Sequence, residues 1–256
     1  MKLDNNFFDS HLNMLKEDGY SRLGRIFNKS DIDSLNKAFE QTNNHQNHWC
    51  KISKNQNNLF VKYNELKRNN KIFDIIKKSE LLNISKYYPK YFNEELKFFG
   101  LFLADTIGIS VKRSELPFIP HIDKHHRIKI IIYLTDVMKN SGPLEIWPKS
   151  QKLISEERLS YRKSNKTMTL FENVRDMKDE PIKLDGQAGE CILFDTNVFH
   201  QAGSGQENNK RRVLRIDFIN LTEFKHEIDT SLIGLIKNYR FSKTHKYPSF
   251  HPLFKV

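Results

Sequence analysis

In "PHIDKHHRIKIIIYLTDV", residues 120–137, His121, Asp123, His125 and His126 stand just ahead of a stiff apolar run. Imidazole and carboxylate groups at the mouth of a buried strand are costly unless something binds them. A metal ion is the obvious occupant. Residues i and i+2 of a strand share a face, so His121 and Asp123 can converge on one ion while Ile122 turns away. A third ligand must come from elsewhere. The candidate is His200, which ends the strand-like "GECILFDTNVFH" and precedes the turn "QAGSG". His125 shares the parity of His121 and is the alternative; otherwise His125 and His126 read as a solvated turn or substrate contacts. Two histidines and one carboxylate take one face of an octahedron and leave three positions open, as in non-heme Fe(II) oxygenases. Zinc is the other metal such a set can hold, although its catalytic sites more often use His₃ or His₂Glu.

Arg211 lies eleven residues beyond His200, at the start of the strand-like "RRVLRIDFIN". A guanidinium aimed into a barrel suits bidentate capture of a carboxylate. An iron chelated by a 2-oxo acid would need such an anchor for the far carboxylate. Adjacent strand residues face opposite ways. Arg212 shares parity with Leu214, Ile216 and Phe218, an apolar face expected to pack under helices. Arg211 shares parity with Val213, Arg215 and Asp217, a mixed face expected to line the interior. Arg215 then reads either as a substrate contact or as an ion-pair partner. In "RIKIIIYLTD", Ile131, Tyr133 and Thr135 form one face, and Ile130, Ile132 and Leu134 the other. Tyr133 is either core or a co-substrate contact.

Short strand-like runs recur between residues 98 and 221: "FFGLFLADT", "IGISVKR", "RIKIIIYLTD", "GPLEIWP", "PIKLD", "GECILFD" and "RRVLRIDFIN". Turn signals separate them, as at Ser141-Gly142-Pro143 and Asp185-Gly186. Many short strands in one block predict a sandwich or barrel, jelly rolls included. Ahead of the block, "DIDSLNKAFEQT" carries Ile32, Leu35 and Phe39 at helical spacing, with Ser30 as the expected N-cap and Asp33 three residues on. "NKIFDIIKKSELLNISKYY" reads as a second helix through Ile72, Phe73, Ile76, Leu81 and Ile84. "HEIDTSLIGLIKNYR" reads as a closing helix, and the polar stretch 156–180 as a long loop of the kind that covers sites.

Four segments in order, "HID", "IIYLTDVMKNSGPLEIWPKSQK", "GECILFDTNVFHQAG" and "RRVLRIDF", resemble the phytanoyl-CoA dioxygenase-like Fe(II)/2-oxoglutarate oxygenases. The opening "LKEDGYSRLGRIFNKSDIDSLNKAF" is similar to that family's usual start, and the resemblance spans roughly residues 15–220. It implies a mainly β fold with flanking helices around a double-stranded β-helix, a cupin-like jelly roll. It implies Fe(II) on His121, Asp123 and His200, with 2-oxoglutarate held by Arg211. Ala202 falls where relatives often have a co-substrate contact, and Ile131 and Tyr133 are the other candidate co-substrate contacts. The chain departs from the family at "PKSQ" (Pro148 to Gln151), where "PGSH" is usual. It has Ala202 where Ser is frequent, and Ile131 near a position that is often aromatic. The implied reaction couples decarboxylation of 2-oxoglutarate to succinate and CO2 with hydroxylation of an unactivated carbon. Halogenating relatives lack the carboxylate that Asp123 supplies.

Composition sets the outer bounds. The expected organisation is one oxygenase domain over 1–256: a mostly helical part at 1–96, the jelly-roll core at 97–222, and a C-terminal helix and tail at 223–256. The 38% hydrophobic content includes 19 Phe and 9 Tyr, enough for a core. No 18-residue apolar run exists, so no membrane span is expected. The N-terminus lacks the apolar stretch of a signal peptide. Cys50 and Cys191 have no metal-type spacing, and a reducing, cytoplasmic setting is the expectation. The formal charge of +11 gives a mild preference for an anionic small-molecule substrate. The basic residues are spread along the chain, as in Lys- and Asn-rich stretches such as "NNHQNHWCKISKNQNN", and form no nucleic-acid stripe. Two rival readings are a non-catalytic metal-binding jelly roll, against which Arg211 argues, and a Zn or Mn cupin-type hydrolase or isomerase, which metal analysis would separate.

Overall fold

A computed structural model describes residues 3–43, 49–53, 56–61, 70–107, 120–123, 126–153, 179–203, 205 and 209–220. The chain opens with helix α1 (Asn5–Asp18). The Asp4 carboxylate caps it by accepting from the Phe7 N–H at 2.9 Å. Phe8, Leu12 and Leu15 form its buried stripe. The helix stops at Gly19, whose φ of 79° is left-handed and whose N–H returns to Leu15 O. A Cβ here would also lie 2.0 Å from Val198 Cγ1, so glycine is required twice over.

Strand β1 (Tyr20–Arg25) leads to α2 (Lys29–Asn43). The cap of α2 is not Ser30. The Asn28 side chain accepts from the Asp31 N–H (2.9 Å) while Asp31 Oδ2 accepts from the Asn28 N–H (3.3 Å). This reciprocal capping box sits two residues before the expected cap and leaves Ser30 exposed. A hairpin that sequence patterning missed follows: β2 (Trp49–Ser53) and β3 (Gln56–Val61). Its Asn- and Lys-rich sequence reads as compositional bias, because the pairing is supplied by the neighbouring strand β4 rather than by apolar alternation. The second expected helix is broken. α3 (Asn70–Lys78) ends before Glu80, which turns left-handed at φ 61°. A 3-10 turn (Leu81–Asn83) and two one-turn helices, α4 (Ile84–Tyr87) and α5 (Pro89–Phe92), follow. Glu80 is kept in that turn by accepting from the Leu3 N–H at 3.1 Å.

The remaining strands are β4 (Leu96–Ile107), β5 (Arg127–Tyr133), β6 (Leu144–Ile146), β7 (Ile182–Leu184), β8 (Glu190–Asp195), β9 (His200–Ala202) and β10 (Lys210–Asn220). They form two antiparallel sheets. The major one runs β1-β8-β5-β10-β4-β3-β2 and the minor one β7-β6-β9. Most of "IGISVKR", the stretch 156–178, and the expected closing helix at 226–240 lie outside the described residues.

The parity of the central strands organises the interior. Ile128, Ile130 and Ile132 of β5, with Leu214, Ile216 and Phe218 of β10, join the helical residues Leu12, Ile32, Leu35, Phe39, Ile72 and Ile76 in one core. The opposite face contributes Tyr133, Ile192, Phe194 and Val213 to a second core shared with Leu144, Ile146 and Leu184 of the minor sheet. One face of the major sheet therefore carries the helices, and the other closes on the minor sheet. The division of β5 and β10 into an apolar outer face and a mixed inner face is the one the sequence predicts.

Candidate metal centre and carboxylate clamp

His121 and His200 are brought together by backbone pairing. Each donates its N–H to the other's carbonyl, at 3.0 and 2.9 Å, and their ring centroids are 4.4 Å apart. Asp123 is tied to the same turn by its N–H to Thr196 O (3.2 Å). Thr196 is fully buried. Its hydroxyl accepts from the Arg127 N–H at 2.8 Å, so one residue fixes both the approach to Asp123 and the start of β5. On the other side, Ser150 of "PKSQ" accepts from the Phe199 N–H (2.8 Å) and donates to Trp147 O (2.6 Å). It pins the residue before His200. Lys149 stands at φ 66°, where the resembling motif has glycine, and so carries a strain that glycine would not. Gln151 donates to the carbonyls of Lys16 and Glu17 at the end of α1. Trp147 is buried and donates to Asp179 O at 3.0 Å.

Ligand atoms of His121, Asp123 and His200 all lie within 4.8 Å of one another. Asp123 Oδ1 is 3.7 Å from His121 Nε2 and 3.6 Å from His200 Nε2. His200 Nδ1 sits 2.9 Å from Val198 O. That hydrogen bond places the proton on Nδ1 and leaves the Nε2 lone pair facing the cluster, as a metal ligand requires. Burial alone would raise the Asp123 pKa. The Lys129 ammonium and the two imidazoles outweigh it and hold the carboxyl well below its usual range. The donor set therefore fits a divalent ion: two imidazole nitrogens on buried histidines and one carboxylate oxygen on a half-buried aspartate, all within reach of one another.

Lys129 is the residue that sequence reasoning missed. It lies on the inner face of β5, is 6% exposed, and donates through Nζ to Asp123 Oδ2. Burial lowers its pKa and nearby Arg215 adds to this, against the pull of Asp123 and Asp217. The signal was present in "RIKIIIY": a charged residue at inner parity inside an apolar strand. Arg215 is an ion-pair partner, with Nε and Nη2 donating to Asp217 at 2.6 and 3.0 Å. His126 is not a solvated turn. It is buried, with Nε2 2.9 Å from Asp195 Oδ1. His125 lies outside the described residues.

Arg211 sits on the inner face of β10, 8% exposed. One terminal nitrogen donates to Gly142 O. Its Nε has no hydrogen-bond partner, and no carboxylate pairs with it, among the described residues. Burial lowers its pKa, and Tyr133 partly offsets that. Gly142 occupies φ 75°, and a Cβ there would lie 2.7 Å from Gly203 O; only glycine lets this carbonyl reach the guanidinium. Tyr133 is buried opposite Val213 and donates to Leu184 O. Ile131 stands opposite Arg215 and Ile192. Ala202 pairs with Leu144 in the minor sheet. Arg212 points the other way, into a structural cage. It bonds Asn36 (3.0 Å), Glu40 (3.2 Å) and Asp105 (3.2 Å) and lies over the Phe39 ring at 4.4 Å. Cys191 is buried in the helix-side core.

A sequence model of the phytanoyl-CoA dioxygenase family matches residues 113–213, a span that holds His121, Asp123, His200 and Arg211. No curated protein sequence matches the chain. Among solved structures, the non-heme alpha ketoglutarate dependent carbocyclase SnoK from nogalamycin biosynthesis is similar at 14% identity and TM-score 0.64, covering 82% of each chain. A prolyl hydroxylase from Trichoplax adhaerens, in complex with a hypoxia inducible factor peptide fragment, is similar at 13% identity and TM-score 0.62, over 86% of this chain and 92% of that one. The epimerase SnoN, in complex with Fe3+, alpha ketoglutarate and nogalamycin RO, is similar at 14% identity and TM-score 0.60, over 90% and 92%. At these identities the likeness establishes the fold, the jelly roll of 2-oxoglutarate oxygenases with flanking helices.

Proposed function

We propose that this chain, which carries the phytanoyl-CoA dioxygenase family core over residues 113–213, is an Fe(II)/2-oxoglutarate-dependent dioxygenase acting on a small molecule. The observation that carries the reading is the joint presence of the His121–Asp123–His200 cluster and a buried Arg211 without a carboxylate partner among the described residues. A structural ion site needs no such clamp. His121 Nε2, Asp123 Oδ1 and His200 Nε2 would hold iron. Bound iron supplies dioxygen activation, which no side chain can provide. Arg211 would fork onto the far carboxylate of 2-oxoglutarate, with the turn carbonyl of Gly142 holding the guanidinium in place. Tyr133, Ile192, Phe194 and Val213 form an apolar floor that keeps water from the reacting groups.

Hydroxylation of an unactivated carbon is the proposed outcome, supported by the carboxylate at Asp123. Epimerising and ring-closing proteins share the fold, so product analysis is part of the test. Anaerobic addition of Fe(II) and 2-oxoglutarate is expected to give the weak visible charge-transfer band of a 2-oxo acid chelated to ferrous iron. His200→Ala should abolish it. With oxygen, slow formation of succinate without primary substrate should follow. No band from fully metallated wild-type protein, or an activity supported by Zn(II) and not by Fe(II), would refute the reading.

A further inference from the structure

Asp123 uses its two oxygens differently. Oδ1 faces His121 Nε2 and His200 Nε2 at 3.7 and 3.6 Å. Oδ2 is taken by the Lys129 ammonium. A carboxylate can ligate an ion through one oxygen or through both. Through both, it fills a position that a chelating co-substrate would otherwise occupy.

The surroundings of Lys129 leave it little else to do. Asp217, directly opposite on β10 and fully buried, is gripped by both donors of Arg215 and approached by Arg127 at 3.6 Å. From β8, Phe194 presents only its ring, 5.8 Å from Nζ. Asp123 is thus the carboxylate that Lys129 engages directly. A buried ammonium in a strand whose other face is all isoleucine is expensive, and Met or Leu would pack there without that cost.

Resting on the metal reading above, we propose that Lys129 is a positioning residue for the metal centre. It reserves Oδ2, so that Asp123 binds through Oδ1 alone and two adjacent positions stay open for a bidentate 2-oxo acid. Its charge also balances the dianionic co-substrate as it enters.

The test compares full-length wild type, Lys129→Met and Lys129→Arg, each checked for folding by thermal unfolding. Met keeps much of the stem and removes the charge; Arg keeps charge and donors. Metal affinity is measured with Mn(II) alone, and 2-oxoglutarate affinity from the anaerobic charge-transfer band with Fe(II). Lys129→Met is expected to take Mn(II) but to need about 10–100-fold more 2-oxoglutarate, the usual scale for loss of an outer partner of a metal ligand. Lys129→Arg should stay within a few-fold of wild type. If Lys129→Met does not fold, Lys129→Gln, which keeps a neutral donor, carries the same comparison. Wild-type 2-oxoglutarate affinity in the uncharged variant would overturn the proposal. So would failure of arginine to rescue, or loss of Mn(II) binding itself. A wild-type protein that gives no band would instead sink the iron–2-oxoglutarate reading, and this proposal with it.

Discussion

Arg211 and Arg212 are chain neighbours with opposite environments, and the difference can be measured. Arg211→Ala should weaken 2-oxoglutarate binding by about 2–5 kcal/mol, the scale for removing one partner of a buried charge pair. Arg211→Lys should recover part of this, because an ammonium cannot fork onto a carboxylate. Arg212→Ala should leave 2-oxoglutarate affinity almost unchanged. It should instead lower folding stability by about 1–3 kcal/mol, since Asp105 would lose its guanidinium and keep the Lys210 ammonium at 3.4 Å. Isothermal titration and denaturant unfolding on the same proteins separate the two effects. Arg212 as the arginine sensitive to 2-oxoglutarate would mean that the inner face has been misassigned.

Among the elements, α2 offers a sharp contrast between local pattern and observed cap. Ser30 is the cap that local pattern suggests, but the reciprocal bonds belong to Asn28 and Asp31. Asn28→Ala should therefore cost about 0.5–2 kcal/mol in denaturant unfolding, while exposed Ser30→Ala should be nearly neutral. Equal effects would contradict the capping box. The strands behave more legibly. Alternation in "RIKIIIY" and "RRVLRIDF" is enough to separate an inner from an outer face, because a two-residue period leaves only one way to divide them. The β2–β3 hairpin was illegible for the converse reason. It has no such alternation, and its pairing depends on β4, a partner distant in sequence.

At the scale of the whole molecule, the two sheets are joined through Tyr133, whose hydroxyl donates to Leu184 O across the inner core. Burial pushes its pKa from 10.0 to about 12, against a smaller opposing pull from Arg211. A raised pKa in the folded state means that the neutral phenol is the form that stabilises the fold. Its contribution is fully present below pH about 10, the unfolded value, and is lost as pH rises through about 12. The loss is about 2–3 kcal/mol. Stability measured across that interval should fall by this amount in wild type, and Tyr133→Phe should lack this component. A wild-type profile matching that of Tyr133→Phe would show that the phenol is not buried as described. No helix among the described residues is long and apolar enough to cross a membrane.

Residue type and spacing singled out His121, Asp123 and His200 as candidate ligands, Arg211 as a candidate clamp and a sandwich or barrel of short strands, and the family resemblance narrowed that class to a jelly roll. These are written in short periods: His-x-Asp on one strand face, and an arginine at inner parity after a tight turn. Tertiary structure decided what depends on distant segments meeting. It closed His200 onto His121 through paired backbone bonds, set Gly142 O against Arg211, and buried His126 against Asp195. It also laid Lys129 against the second oxygen of Asp123. A lysine at inner parity is visible in the sequence, but its partner is not, because an ion pair is defined by distance in space, which the two-residue period does not give.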